Sequence, residues 1–167
     1  MPASTVGLVV RILQVEGMAN NVAVTPEPIR ALELTVAIQN CNSLNLTTNV
    51  RSFVLKTAAI KGFGTDIILL CDTRLVSNKG INGTNRLKNA FRDKKGKKYD
   101  VYANSSKNSR GVAILIDTSL NLQPEESYVD PEENFLVIKL TIKGIPFLIG
   151  SIYGPNSTGR DFLEGWD

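Results

Sequence analysis

The sequence predicts an α/β layered domain, and three observations lead to that prediction. Residues 34–38 have strand composition, residues 50–58 carry apolar side chains at helical spacing, and residues 66–71 form a nearly continuous apolar run. Such a run is typical of a strand that is covered on both faces. Strand, helix and strand within about forty residues is the pattern of a sheet with a helix packed on it.

The N-terminal residues are less regular. Residues 6–15 are apolar enough for a strand or a short helix, and Pro26 and Pro28 then break regular structure. The sequence therefore predicts an N-terminal extension over 1–32 and a folded domain over 33–167.

The elements of the domain follow in order. The first helix is predicted from Val50, Phe53, Val54 and Ala58, with Thr47 or Thr48 placed to cap its start and Gly62 to end it. Residues 76–98 are polar and basic, which predicts a loop with a short helix around 86–91. Further strands are predicted at 99–103, 111–116, 135–142 and 145–153, the last two flanking Lys143-Gly144 at hairpin spacing.

Composition limits the possible classes of protein. Apolar residues make up 43% and charged residues 21% of the chain, an ordinary globular balance. No apolar run approaches the roughly 18 residues that cross a bilayer, so no membrane association is predicted. Two cysteines do not make a disulfide framework, and the start of the chain lacks a signal-peptide pattern. These features predict an intracellular protein, in the nucleus or the cytoplasm.

The absence of histidine restricts the chemistry of this chain. These 167 residues include no histidine, so they cannot form a Ser-His-Asp or Cys-His catalytic site or a His-ligated zinc site. An enzyme built from this chain must rely on carboxylates, amides, Tyr, Lys or Arg.

The net charge of +3 is unevenly distributed, because basic residues crowd 86–98. Such a cluster can neutralise the phosphates of a DNA backbone, weakly and without reading sequence. The alternative is an ordinary solvated loop. The candidate nucleic-acid-binding residues in this stretch are Arg92, Lys94, Lys95, Lys97 and Lys98.

Polar residues follow three of the predicted strands. Asn40 follows the first, Asp72 follows the apolar run, and Tyr153 and Asn156 follow the last. Polar residues at strand ends often converge on one crevice in layered α/β folds. A carboxylate with amide oxygens is a suitable partial shell for Mg²⁺. Each residue alone also has a structural reading: a turn Asn, an Asp72 paired with Arg74, or an amphipathic core Tyr153.

Four segments together resemble the exonuclease–endonuclease–phosphatase family, most closely the endonucleases of LINE-type retrotransposons. Residues 38–44 (Ile-Gln-Asn-Cys-Asn-Ser-Leu) resemble its opening strand and Asn-containing turn. Residues 66–75 resemble its Gln-Glu-Thr segment, 110–116 its Gly-Val-Ala strand, and 152–156 (Ile-Tyr-Gly-Pro-Asn) its Ile-Tyr-Ala-Pro-Asn motif. The Tyr-Gly-Pro-Asn sequence favours the retrotransposon branch over the family's phosphatases.

The resemblance implies a fold and a set of roles. The fold would be part of a four-layer α/β sandwich, two packed mixed sheets flanked by helices, truncated at its C-terminal side. Asp72 would stand at the metal-ligating carboxylate position, with Asn40 helping to hold Mg²⁺ (or Mn²⁺). Tyr153 and Asn156 would contact the reacting phosphate, and Arg160 the DNA backbone. The metal would polarise the phosphate during phosphodiester hydrolysis.

The chain also departs from the family pattern. Asp72 replaces Glu, Cys71 replaces Gln, and Ser43 replaces Gly. The later Asp-x-Asn and Ser-Asp-His motifs have no counterpart here. The resemblance therefore predicts an incomplete LINE-type endonuclease domain that is inactive alone and needs a missing C-terminal part or another chain to complete its fold. The alternative is a truncated, catalytically inactive relative that serves as a binding or structural subunit.

Overall fold

The computed structural model describes residues 5–12, 32–45, 50–76, 82–92, 96–142 and 144–154. Within these ranges no helix is long and apolar enough to span a membrane. The elements are β1 (Thr5–Ile12), β2 (Leu32–Asn40), α1 (Val50–Lys61), β3 (Ile67–Cys71), α2 (Gly83–Arg92), β4 (Tyr99–Asn104), β5 (Val112–Asp117), a 3-10 turn (Thr118–Leu120), β6 (Glu126–Val129), β7 (Phe135–Ile142) and β8 (Ile145–Ile152).

The described strands form two sheets. The five-stranded sheet has the order β1-β2-β3-β5-β4, and the three-stranded sheet has the order β6-β7-β8. β2 and β3 run parallel, whereas the other neighbouring strands run antiparallel. The predicted α/β class is confirmed by this arrangement of two sheets with helices.

Alternating side chains on β5 hold the layers together. Val112, Ile114 and Ile116 point into the core between the two sheets, which β7 fills from the other side. Ala113 and Leu115 point into a second core beneath the two helices. Because both faces of β5 are covered, every residue of this strand is buried. The layers are thus helices, five-stranded sheet and three-stranded sheet.

Only part of the apolar face predicted for α1 is buried, and Phe53 is the predicted residue that the core receives. Val50 and Val54 are 59% and 56% exposed, whereas Phe53, Thr57 and Ile60 are buried. Thr57 is tolerated in the core because its hydroxyl donates to the Phe53 carbonyl at 2.9 Å. The helix ends at Lys61, immediately before Gly62 as predicted, while Thr47 and Thr48 lie outside the described residues.

Two strands add to the predicted set. The sequence allowed either a strand or a short helix over residues 6–15. The structure has a strand, Thr5–Ile12, which pairs antiparallel with β2 at the end of the larger sheet. β6 is absent from the sequence prediction because all four of its residues are exposed and lack the alternation that marks a half-buried strand.

The predicted hairpin is present, and its second strand is open on one side. Ile142 pairs with Ile145 across a tight turn in which Gly144 has a φ of +82°. β8 is the last strand of the described three-stranded sheet. Leu148 and Ile152 on its outer face are 69% and 52% exposed. An apolar edge of this kind favours pairing with further chain.

Candidate functional site at the strand ends

The candidate site lies at one edge of the larger sheet, where β2 and β3 end together. Their parallel register places Asn40 beside Cys71, the residue that precedes Asp72. β5 runs antiparallel to β3, so its first residue, Val112, lies beside Cys71 on the other side. The second sheet reaches the same edge, because Ser151 near the end of β8 donates a buried hydrogen bond to the Leu70 carbonyl at 2.9 Å.

The chain after β3 is fixed by backbone hydrogen bonds on both sides. Ser43 donates to the Asp72 carbonyl at 2.8 Å, and Leu44 donates to the Thr73 carbonyl at 2.7 Å. On the opposite side, Arg74 donates to the Arg110 carbonyl at 2.9 Å. The segment that carries Asp72 is therefore held on both sides.

Left-handed backbone conformations concentrate at this edge. A non-glycine residue with positive φ carries local strain that the surrounding structure must support, and such residues cluster at functional sites in proteins. Of the positive-φ non-glycine residues in the described chain, those that lie at this edge are Asn42, Ser43, Asp72, Arg74, Arg110 and Glu133.

Gly111 allows the closest packing of the edge. It has a φ of +88°, and a Cβ built on it would lie 2.2 Å from the Ser105 Oγ and 2.8 Å from the Thr73 Oγ1. The Ser105 hydroxyl accepts hydrogen bonds from the Thr73 hydroxyl and the Leu75 N–H, both at 2.9 Å. A side chain at position 111 would displace this half-buried hydroxyl.

The turn after β2 is held by one lysine. The Lys56 ammonium on α1 donates to the carbonyls of Cys41, Asn42 and Ser43 at 2.9, 2.8 and 2.7 Å. Burial raises the pKa of the Cys41 thiol well above its usual range, and nearby Cys71 adds to the effect. The thiol is therefore neutral at physiological pH and is not available as a thiolate nucleophile or metal ligand.

Asp72 is buried, with only 5% of its surface exposed, and both of its carboxylate oxygens are occupied. Oδ1 accepts from the Arg74 Nε at 2.7 Å, and Oδ2 accepts from the Arg74 Nη2 at 2.9 Å. This bidentate geometry is the strongest form of an arginine–carboxylate pair. The hydrogen bond to Asp72, assisted by the charges of Asp72 and Tyr153, raises the pKa of Arg74.

Asn40 and Tyr153, the other predicted site residues within the described ranges, are held by different contacts. Asn40 is exposed, and its Oδ1 accepts from the Asn42 N–H at 3.0 Å, an Asx turn. Tyr153 is half-buried against the core between the sheets. Its N–H donates to the Asn134 carbonyl at 2.6 Å, and its hydroxyl affects the Arg74 guanidinium electrostatically. Asn156 and Arg160 lie outside the described residues.

The sequence did not single out the group around Glu133. This residue is buried, and its carboxylate accepts from the Ser106 N–H at 3.0 Å, the Ser106 hydroxyl and the Lys107 N–H at 3.2 Å. It fixes the loop after β4 beside Gly111. Next to it, the Asn134 Oδ1 is buried without a hydrogen-bond partner within the described ranges. In the sequence both residues belong to a polar turn, which gives no signal of burial.

The predicted nucleic-acid-binding residues lie elsewhere. Lys97 pairs with Asp66 at 3.1 Å and with Asp117 at 2.8 Å, and these carboxylates lie beside the start of β3 and at the end of β5. Arg92 pairs with Asp100 at 2.6 Å. Lys98 is exposed. All three basic residues therefore lie at the end of the sheet opposite Asp72, while Lys94 and Lys95 are outside the described residues.

The described residues do not fit Mg²⁺ as they are arranged. They contain no group of three His, Cys, Asp or Glu side chains that could hold a metal ion. Asp72 occupies the position that the resemblance assigns to a metal ligand, yet the Arg74 guanidinium takes both of its oxygens. Mg²⁺ requires free oxygen ligands in near-octahedral geometry. The Arg74 guanidinium therefore competes with a metal ion for this carboxylate.

The described fold has distant neighbours among solved structures. No protein-family model matches the chain. A truncated TDP2 of Caenorhabditis elegans is 15% identical over 68% of this chain and 44% of that one, with a TM-score of 0.43. Selenomethionine TDP2 of the same organism is 14% identical over 68% of this chain and 33% of that one, with a TM-score of 0.43. The chain thus spans less than half the length of these proteins.

Proposed function

We propose that this chain is the N-terminal portion of a LINE-type endonuclease domain of the exonuclease–endonuclease–phosphatase family. The complete parent would hydrolyse a DNA phosphodiester and so nick the target that primes reverse transcription. One observation carries the proposal: Asn40, Asp72 and Tyr153, which come from three separate motifs, lie at the same edge of the sandwich.

Two backbone positions support the match to the family motifs. Position 43 is Gly in the family pattern and Ser here, and Ser43 has a φ of +71°, a conformation that favours glycine. Gly111 opens the segment that resembles the Gly-Val-Ala strand, and no larger residue fits there. At these two positions the backbone of this chain requires what the family pattern supplies with glycine.

The proposed roles are those that the family pattern gives to the matching motif positions. Tyr153 would donate its hydroxyl to a phosphate oxygen, and Asn156 would contact the scissile phosphate through its amide. Arg160 would contact the DNA backbone. Asp72 would act after release from Arg74, supported by Asn40 on the neighbouring strand. The open edge of β8 would be covered by chain that follows in the parent, or by another subunit.

A second candidate function is favoured by the closed ion pair. Asp72 and Arg74 satisfy one another, so the buried carboxylate has a charge partner within the chain itself. A catalytically inactive relative that serves as a binding or structural subunit, with the basic 86–98 stretch against nucleic acid or an acidic partner, would retain such a pair. The two candidates differ in whether a longer protein cuts DNA.

A nicking assay tests the proposal. The 167-residue chain, incubated with supercoiled plasmid and Mg²⁺ or Mn²⁺, is expected to yield no nicked circles. A protein extended by the downstream residues of the source transcript is expected to nick, and Asp72→Ala is expected to reduce its rate by about 100-fold or more, since a lost transition-state contact is worth several kcal/mol.

Controls separate catalysis from stability in that assay. Glu132→Ala, at an exposed carboxylate near the same edge, is expected to leave nicking by the extended protein unchanged. Folding of each variant is followed by far-UV circular dichroism. Nicking by the extended protein that survives Asp72→Ala would remove Asp72 from the mechanism. No nicking by a folded extended protein would favour the second candidate.

DNA binding by the chain is expected to be weak, independent of sequence and steeply dependent on salt. Each phosphate contact made by the basic stretch adds about 0.9 to the slope of log affinity against log salt. Because Lys97 is held by two carboxylates, Lys98→Gln is expected to lower the slope more than Lys97→Gln. Fluorescence anisotropy with a labelled duplex measures both, and an affinity insensitive to salt would contradict the prediction.

A further inference from the structure

In the Asp72–Arg74 pair, the positively charged guanidinium lies against the carboxylate, where a metal ion would otherwise bind. The two nitrogens of the guanidinium contact both carboxylate oxygens, at 2.7 and 2.9 Å. The Asp72 side chain is 7% exposed and the Arg74 side chain 35%, so one flank of the pair faces solvent. Asp is one methylene shorter than the Glu of the family pattern, so the reach of this carboxylate is shorter.

The pair is built into the backbone. Asp72 and Arg74 have φ angles of +53° and +49°, and the Asp72 carbonyl and the Arg74 N–H are each fixed by hydrogen bonds to neighbouring segments. The left-handed backbone at Asp72 and Arg74, on either side of Thr73, brings the side chains of Asp72 and Arg74 into contact. Backbone strain of this kind persists only where the surrounding structure enforces it.

Within the described residues, no other free carboxylate lies beside Asp72 to help bind a metal ion in addition to Arg74. The nearby buried acid, Glu133, is committed to the Ser106 and Lys107 loop. Within the described ranges no cluster of three acidic or thiol side chains could supplement Asp72. A divalent ion at Asp72 would therefore face one carboxylate and an adjacent guanidinium charge.

We infer that the Arg74 guanidinium occupies the cation position of this site, so that the chain excludes a divalent metal from Asp72 until Arg74 is displaced. The inference rests on the proposed function only in assigning Asp72 to the metal position. It deepens that proposal by naming the residue that keeps the site closed. Displacement of Arg74 would be the step by which the site accepts a metal.

Metal binding to the 167-residue chain tests this directly. Mn²⁺ binding is measured by electron paramagnetic resonance for the unmodified chain, Asp72→Asn, Arg74→Gln, Arg74→Gln/Asp72→Asn and Arg110→Gln. Arg110 is the matched control, because it lies at the same edge, has a positive φ of +64° and has a similarly exposed side chain, 34% against 35%. Its ion pair is made to the exposed Glu132 instead.

Arg74→Gln is expected to bind Mn²⁺ at least about tenfold more tightly than the unmodified chain, because a unit charge is removed beside the ion. The double variant is expected to lose that gain, and Arg110→Gln to show none. Equal affinity in the unmodified chain and in Arg74→Gln would overturn the inference. So would binding to the unmodified chain that Asp72→Asn abolishes.

A second measurement needs no variant. The Arg74 Nε–H resonance in nitrogen–proton NMR spectra, protected by its hydrogen bond to Asp72, is expected to stay unchanged on addition of millimolar Mg²⁺. A metal-dependent loss of that signal would overturn the inference even if Arg74→Gln fails to fold. The nicking assay remains independent: an extended protein that does not cut while Arg74→Gln binds Mn²⁺ would sink only the proposed function.

Discussion

Replacing Gly111 with alanine should destabilise the chain by an amount that the structure allows to be divided into two parts. The first is backbone strain, because φ is +88° at this position, and a left-handed conformation costs a non-glycine residue about 1–2 kcal/mol. The second is steric. The new methyl group would lie 2.2 Å from the Ser105 Oγ, so that hydroxyl must move.

The displaced hydroxyl determines the size of the steric part. It accepts from the Thr73 hydroxyl and from the N–H of the buried Leu75, both at 2.9 Å. Each lost hydrogen bond is worth about 1 kcal/mol, and a buried N–H left unpaired costs at least that much. The total expected for Gly111→Ala is about 3–5 kcal/mol, a large fraction of the about 5–15 kcal/mol that stabilises a typical protein.

Gly96→Ala separates the two parts. Gly96 has a nearly identical φ of +85°, but no atom lies within 4 Å of the Cβ that would be added. Its substitution should therefore cost only the backbone strain, about 1–2 kcal/mol. Urea denaturation followed by far-UV circular dichroism gives the free energy of unfolding for both variants. Equal losses within about 0.5 kcal/mol would refute the packing argument at Gly111.

Two further predictions concern the sheets. Ser151→Ala removes the buried hydrogen bond to the Leu70 carbonyl and should lower the free energy of unfolding by about 1–2 kcal/mol. At Asp117, burial opposes ionisation, but the hydrogen bonds from Lys97 and from the chain after β5 outweigh it, so the pKa is lowered below its ordinary 3.8. The stability from this carboxylate is therefore present above pH 3.8 and is lost as pH falls through the lowered pKa. Lys97→Gln should make that acid loss smaller.

Both predictions have controls within the chain. Ser127→Ala, on the exposed strand β6, should change stability by less than about 0.5 kcal/mol. Lys98→Gln, next to Lys97 but exposed, should leave the pH dependence of unfolding unchanged. A Ser151→Ala variant as stable as Ser127→Ala would mean that the two sheets do not depend on that hydrogen bond. If the free energy of unfolding depends on pH in the same way in Lys97→Gln and Lys98→Gln, Lys97 does not lower the pKa of Asp117.

The sequence by itself determined the elements whose hydrophobic pattern is strong. The apolar run of β3, the β5 strand and the β7–β8 hairpin are recognisable because burial on one or both faces dictates which residues can stand there. The ends of these strands can also be located from the sequence, so Asn40, Asp72 and Tyr153 could be predicted to lie in one site from the sequence alone. The parallel register of β2 and β3 then places Asn40 beside the residue before Asp72.

Local pattern was not sufficient where the partner is distant in sequence. Part of the buried face of α1 was misassigned because Val50 and Val54 are as apolar as the residues that the core selects, and only the position of the sheet decides between them. Glu133 could not be recognised as buried, because the loop that its carboxylate fixes begins 27 residues earlier, at Ser106. Lys97 was predicted to contact phosphate, but it is paired with two carboxylates that are far apart in sequence, one just before β3 and one at the end of β5.

The chemistry of the candidate site was decided by tertiary structure alone. The sequence places Asp72 two residues before Arg74 and leaves open whether the carboxylate meets a metal or the arginine. The answer depends on two left-handed backbone positions, and those are enforced by hydrogen bonds from the β2 turn and from the residue before Gly111. Asp72 and Arg74 form a bidentate ion pair because segments distant in sequence fix the backbone that carries them. Sequence determined which groups are present, and the fold determined which of them are already occupied.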